Sequence, residues 1–384
     1  MTTIPYGRQW ISDDDVRAVV EVLRGDWLTQ GPMVDRFEHA LAERCGARHA
    51  VAVSNGTAAL NLACLAVGLG PGDEGITSPL AFLASATCIT SCAAVPRFAD
   101  VEPGTWTLDP ERVEPRIGDR TKVLVPVDFA GLPCDLERLR ALADRHGLVV
   151  IADACHSLGA TYQGRPVGGT GLAELTCFSF HAVKAITTGE GGAVVTDDDL
   201  LARRLRRLRH HGICREAGEL ERNDGPWYYE LHQPGTNARI TDIQCALGLS
   251  QLRKLDRFVS RRQQIAARYR EALAGIPDLF FQAGADDRIS AHHLFAVHLD
   301  PDRYDRREVF EALAARGIRC QVHYVPINLQ PFFREKYGTA EGDCPVTEHL
   351  YQGALSLPLF PAMTDLDVER VIDEVRDVLT APAA

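Results

Sequence analysis

Several absences narrow the reading before any motif is considered. No run of residues approaches the ~18 consecutive apolar positions of a membrane-crossing helix. The opening stretch MTTIPYGRQW carries neither the basic nor the apolar region of a secretory signal. None of the eleven cysteines falls in a Cys-x-x-Cys pair, and Cys64, Cys88, Cys177 and Cys245 sit inside apolar runs as small core residues. Reduced thiols, a cytoplasmic location and no metal centre are expected. No basic block stands clear of helical patterning: the densest, RRLRRLRHH from Arg203, belongs to a chain of net charge -11 and reads as a solvated helix face, not a nucleic-acid footprint. Internal repeats and low-complexity tracts are also missing.

What is there is an alternation. With 384 residues, 46% hydrophobic and 24% charged, the chain has the composition of a soluble globular protein of two or three domains. After two amphipathic patterns (Asp13 to Leu23, Val34 to Cys45), strand-like runs HAVAVS, EGITS, VPRFAD, TKVLVPV and LVVIADA alternate with helical ones such as TAALNLACLAVG and DLERLRALADRHG. That order predicts an α/β domain over residues 26–250 with a mainly parallel sheet covered on both faces. From Leu252 to Ala274 a long helical pattern turns its arginines outward. It leads into a smaller α+β unit, residues 251–384, with strands at HLFAVHL and IRCQVHYVP, a helix at DRREVFEALAARG and a last helix from Asp365 to Leu379. Residues 1–25 form an N-terminal segment able to pack on either part.

Three strand ends carry the chemistry. Asp153 closes LVVIAD, and ligands of open α/β sheets bind beyond the carboxyl ends of the strands. SNGTAAL, Ser54 to Leu60, ends a strand and starts a helix whose first N–H groups suit an anion. In SFHAVKAITTGEGGAVVT, Lys184 stands after an aromatic-serine run and before a glycine cluster, with only Glu190 as charged company. A lysine amine in a partly desolvated pocket loses basicity and attacks carbonyls to give a Schiff base. Ser179 can place a hydroxyl on a phosphate, and Gly189, Gly191 and Gly192 permit close packing around a bulky ligand. Singly, each has a plainer reading: a helix cap for Asp153 and for SNGT, a snorkelling surface lysine for Lys184. Together they are what pyridoxal phosphate requires, with the carboxylate holding the pyridine nitrogen protonated and Phe82 offering an aromatic face.

At this point the chain resembles the fold-type I, aspartate-aminotransferase-like family that aminates nucleotide-linked keto-sugars, the DegT/DnrJ/EryC1/StrS type. The marks are LTQGP (28–32), SNGTAAL, DACHSLGA (153–160), the Lys184 motif, NARITDIQCALGLSQL (237–252), RCQVHYVPI (319–327) and SLPLFP (356–361). Within the family, SFHA-K-ITT-EGGAVVT, ALGLSQL and QVHY-PI are similar to the pseudaminic-acid-pathway branch. Ala182 and Asn55 depart from the proline and serine common in the family.

The resemblance implies a seven-stranded, mainly parallel sheet in the large domain. It makes Lys184 the residue that binds the cofactor covalently and moves a proton to the sugar carbon. Asp153 would pair with the pyridine nitrogen, His156 would lie near the phenolic oxygen, Phe82 would stack, and Gly56, Thr57 and Ser179 would hold the phosphate. Asn237 would reach across from a second subunit, which implies a homodimer with shared active sites. Tyr6, Asp26, Trp27, Leu28, Thr29, Gln321, Val322, His323 and Tyr324 match positions lining the sugar-nucleotide site. The implied reaction moves the amino group of L-glutamate to C4 of UDP-2-acetamido-2,6-dideoxy-β-L-arabino-hexos-4-ulose, leaving 2-oxoglutarate. Rival readings are a transaminase of an aminocyclitol or antibiotic deoxysugar, a dehydratase (against which Lys184 argues, histidine being its replacement there) and a non-catalytic regulatory protein that binds the cofactor. Plainer roles stay open too: Tyr6 and Trp27 as packing at a domain seam, His323 as a core histidine, Arg239 as a phosphate ligand or a cap.

Overall fold

The computed structural model describes residues 3–380. Seven short apolar runs become the strands of one sheet: β1 (His49–Val53), β2 (Glu74–Thr77), β3 (Val95–Phe98), β4 (Thr121–Val125), β5 (Val149–Asp153), β6 (Leu175–Ser179) and β7 (Gly192–Thr196). Their order is β1-β7-β6-β5-β4-β2-β3. Neighbours from β6 to β3 run parallel, while β7 is antiparallel to both β6 and β1. The ends of β1, β2, β4, β5 and β6 therefore open on one edge of the sheet.

Side-chain alternation sorts the strands between two helical layers. Val51, Val53, Ile151, Cys177 and Val194 pack with Leu60 and Leu62 on one face. Ala50, Ala52, Phe178 and Ala193 pack with Phe37 and Leu41 on the other. The first layer includes α3 (Gly56–Ala66), α4 (Ala84–Ser91) and α6 (Asp199–Arg209); the second includes α2 (Pro32–Cys45), with α1 (Asp13–Leu23) placed before it and α5 (Leu136–His146) covering β4 and β5. Helix starts follow their capping residues: Asn55 accepts from the Ala58 N–H, and Thr241 and Gln244 form a capping box opening α7 (Asp242–Leu252).

Helix α8 (Leu255–Leu273) belongs to two cores at once. Leu255, Phe258 and Val259 join the large sheet's core, whereas Ile265, Tyr269 and Leu273 join the C-terminal one. That second core lies beneath an antiparallel sheet of order β8-β9-β10, formed by β8 (Leu279–Phe281), β9 (Phe295–Leu299) and β10 (Ala354–Leu357), and beneath α9 (Arg306–Ala315) and α10 (Asp365–Thr380). The N-terminal segment packs on both parts. Ile4 sits in the C-terminal core and bonds to Gly317 and Arg319. Asp15, fully buried, accepts from Lys254 Nζ at 2.6 Å and from Gln251 Nε2 at 2.7 Å.

Two expectations need correction. IRCQVHYVP is not a strand: Ile318 bridges to Ile4, Gln321 bridges to Ser356, and the chain then leaves the sheet before Pro326. Nor do all arginines of α8 face outward, because Arg262 is 1% exposed.

Candidate active site

The shared edge of the sheet opens into a cavity of about 740 Å³. Asp153 enters it from the end of β5 and Ser179 from the end of β6. Gly56 and Thr57 enter at the start of α3, and Phe82 from the loop between β2 and α4. Lys184, half-buried, reaches it from the turn between β6 and β7. His156, Tyr6, His323 and Tyr324 complete the set of expected residues found there.

Glycine at position 56 has a geometric cause. A Cβ there would stand 2.8 Å from the Ser179 Cβ and 3.3 Å from Cys155 Sγ, so the helix start could not close on the strand end. Gly192 is likewise obligatory, since its Cβ would lie 2.5 Å from the Asn55 carbonyl oxygen. The glycine cluster thus lets chain approach chain, where close packing around a ligand was expected.

Asp153 is 5% exposed and held at both oxygens. Ser85 Oγ donates to Oδ2 at 2.6 Å and the Cys155 N–H donates to Oδ1 at 3.2 Å. Burial holds the Lys184 amine below its ordinary pKa, and the Arg262 cation adds to that effect, while Cys155 and Asp153 oppose it. Burial also pushes His156 and His293 well below the imidazole range, and His323 down to about 4, with the Lys184 charge contributing to each. These rings are neutral at physiological pH. His156 packs against His293 at 4.4 Å between centroids with the rings tilted by 45°, its Nε2 lies 3.3 Å from the Tyr324 hydroxyl, and its buried Nδ1 has no partner among the described residues.

Other expected residues lie elsewhere in the chain. Gln321 and Val322 precede the cavity without lining it, and Asn237 bridges to His210. Asp26, Leu28 and Thr29 are also outside it, Thr29 bridging to Thr241. Trp27 lines a second, basic cavity of about 600 Å³ with Arg206, Arg209, His210 and Arg239. Sequence reasoning missed Ser85 and His293, and assigned no role to Cys155, the cavity residue next to His156.

The donor set fits pyridoxal phosphate. A helix start leaves its first N–H groups free, and here Asn55 occupies only that of Ala58, leaving the first turn and the Ser179 hydroxyl for a phosphate. A buried carboxylate, an aromatic ring, an imidazole and an amine of lowered basicity line the same space. A profile of the DegT/DnrJ/EryC1/StrS aminotransferase family matches residues 9–376.

The chain belongs to that family.

As an aminotransferase of this kind it uses pyridoxal phosphate. Among curated relatives, the spore coat polysaccharide biosynthesis protein SpsC of Bacillus subtilis is 42% identical over 98% of this chain and 97% of its own. Among solved structures, Helicobacter pylori PseC, an aminotransferase involved in the biosynthesis of pseudoaminic acid, superposes with a TM-score of 0.91 at 31% identity, covering 98% of this chain and 99% of its own. The PLP-form of the putative sugar aminotransferase Spr1654 from Streptococcus pneumoniae gives 0.90 at 29% identity, over 98% and 100% of the two chains. The aspartate-aminotransferase-like α/β fold expected from the sequence is confirmed.

Proposed function

We infer that this aminotransferase moves the amino group of L-glutamate to the C4 ketone of a nucleotide sugar, UDP-2-acetamido-2,6-dideoxy-β-L-arabino-hexos-4-ulose, releasing 2-oxoglutarate. The observation that carries the reading is one cavity holding Lys184, Asp153 and the start of α3, in a chain similar end to end to PseC. The likeness to SpsC, a polysaccharide-biosynthesis protein, points the same way, toward a glycan sugar.

Pyridoxal phosphate supplies an aldehyde that takes up the amine and a ring that accepts the electrons of a carbanion. The chain's own residues do the rest. Lys184 Nζ, with its basicity lowered by burial, takes a proton from the donor carbon and returns one to the sugar carbon. Asp153, fixed by Ser85 and the Cys155 amide, would offer its carboxylate to the ring nitrogen. Gly56, Thr57 and Ser179 would hold the phosphate, Phe82 would cover the ring and His156 would lie near the phenolic oxygen, all from the lining of one cavity. Tyr6, His323 and Tyr324 wall the sugar side.

Trp27 lines the basic cavity, while Asn237, Asp26, Leu28, Thr29, Gln321 and Val322 line neither cavity. We assign them to a homodimer in which each chain completes its partner's site. The division into residues 1–25, 26–250 and 251–384 is retained, with α8 as the shared beam. Eleven free cysteines, none in a disulfide, support a cytoplasmic location. Among the described residues no helix is long and apolar enough to cross a membrane.

The test is direct. Purified protein, pyridoxal phosphate and glutamate are incubated with a panel of 4-keto nucleotide sugars, and products are read by mass. A 4-amino product from the UDP-linked acetamido sugar is expected; turnover restricted to a sugar of another class overturns the substrate assignment.

A further inference from the structure

One arginine departs from the outward pattern of its helix. Arg262 lies midway along α8, 1% exposed, between the residues that fix that helix in the two cores. Among the described residues it forms no ion pair. Its guanidinium donates instead to main-chain carbonyls: Nη1 to Leu359 O at 2.9 Å, His293 O at 3.1 Å and His292 O at 3.5 Å, and Nη2 to Val183 O at 3.4 Å. Its Nε has no hydrogen-bond partner among the described residues. Burying a cation without a counter-charge is costly, and burial pulls its pKa down to about 10, which still leaves it charged at neutral pH.

Every segment it grips leads to the cavity. Val183 precedes Lys184 in the chain. His293 lines the cavity itself. Leu359 donates its N–H to the Tyr6 carbonyl at 3.0 Å, and Tyr6 is another lining residue. An uncompensated cation behind the Lys184 turn also disfavours a second cation on that turn, one of the ways in which lysines become nucleophiles. The groups facing the amine from other elements divide by sign. Asp153 and Cys155, at and after the end of β5, favour its charged form. The neutral rings of His156, His293 and His323 add no negative charge, and Tyr6 and Tyr324 are phenols. His181 and Glu190 belong to the lysine's own turn and also line the cavity.

We propose that Arg262 is a positioning residue of the transamination, tying the Lys184 turn to α8 and setting a fixed positive charge behind it without touching substrate or cofactor. The inference rests on the reading of Lys184 as the reactive amine.

The experiment labels the full chain, freed of cofactor, with limiting fluorodinitrobenzene from about pH 6 to 11, reading the extent at Lys184 by peptide mass. In the parent, the midpoint at Lys184 should fall below that of exposed Lys336. An ordinary midpoint in the parent would sink the reading of Lys184 itself. Arg262→Gln should raise the Lys184 midpoint by about 0.5 units or more, and Arg262→Lys should restore it. A lowered midpoint in the parent that Arg262→Gln leaves unmoved, with native circular dichroism, overturns only the role of Arg262. Should the glutamine variant not fold, Arg262→Lys decides alone. It keeps the charge and loses the fork, so the midpoint must hold while the amides of residues 181–188 exchange faster with deuterium. A midpoint that rises with the charge retained, or exchange that does not change, overturns the proposal.

Discussion

Ser85 donates a 2.6 Å hydrogen bond to Oδ2 of Asp153, across 68 residues of sequence, and both side chains are buried. The pair explains why α4 begins where it does relative to β5. Its first turn delivers a hydroxyl to a carboxylate that would otherwise lose half of its hydrogen bonds, and an orphaned buried carboxylate oxygen is costly. Asp153→Asn should keep the fold and drop kcat by ~10²-fold or more, on the scale of losing a charge that acts in the reaction. Ser85→Ala should cost less, ~10-fold, the loss of one charge-assisted bond. Steady-state rates of the two variants check the order; a serine variant as impaired as the asparagine one would mean that Ser85 touches the reactants.

Lys184→Ala should abolish turnover, a loss of ~10⁴-fold or more for a residue that is both nucleophile and base. A readout independent of rate is covalent capture. Borohydride should fix pyridoxal phosphate to the Lys184 peptide of the parent chain, and capture at another lysine would move the assignment.

Gly56→Ala places a methyl 2.8 Å from the Ser179 Cβ, inside van der Waals contact. Either α3 or the end of β6 must shift, and overpacking of this kind costs ~1–3 kcal/mol. Because both elements face the phosphate, cofactor affinity should fall more than the fold does. Titration of cofactor fluorescence and a urea unfolding curve separate the two effects. Full affinity in a destabilised chain would show that the close approach serves packing alone.

Much of this arrangement was legible in the sequence, and the failures share a cause. Strand and helix patterns over residues 49–153 carried through because each has a two-sided or one-sided burial that period alone encodes. At 318–326 the apolar alternation reports something else: Ile318 and Cys320 face the C-terminal core, while His323 and Tyr324 face the cavity. A strand-like pattern arose with no strand partner to hold it beyond Gln321. Ser85 reads as one more small residue in an apolar helix, and His293 as half of a histidine pair before a strand. Only their distances to Asp153 and His156 give them meaning. Arg262 hides among the arginines of its own helix, since an inward guanidinium bonded to carbonyls leaves no acidic partner in the sequence to betray it.

Acid should destabilise the protein through its buried imidazoles. His292 and His323 are held at about 4, and His156 and His293 lie well below their ordinary value of 6.5. On acidification the unfolded chain takes up protons near 6.5 that the folded chain refuses, so stability falls as pH drops from about 6.5 toward 4, by ~1.4 kcal/mol per pH unit for each such histidine. Asp128 acts in the opposite sense. Burial raises its pKa to about 7, so between 3.8 and 7 it binds a proton in the folded state only and favours the fold at the acid end of that window. Four histidines outweigh one aspartate. Urea midpoints at pH 7 and pH 5 should therefore decline, and equal midpoints would mean that water reaches these rings.

Shared active sites make a prediction that no single chain can satisfy. If Lys184 of one protomer works with Asn237 of the other, Lys184→Ala chains carry a sound Asn237, and Asn237→Asp chains carry a sound Lys184. Each homodimer has two defective sites. Unfolding and refolding the two variants together pairs them at random, so half of the dimers are mixed, and each mixed dimer regains one site built from the two sound residues. Activity should rise from near zero to about a quarter of the parent's, as two-fold symmetry dictates. If instead Asn237 acts within its own chain, or not at all, mixing creates no intact site and activity stays at the mean of the two parents. The contrast depends on which chain supplies each residue and not on how much either residue contributes, so recovery on mixing discriminates even if Asn237→Asp leaves residual turnover.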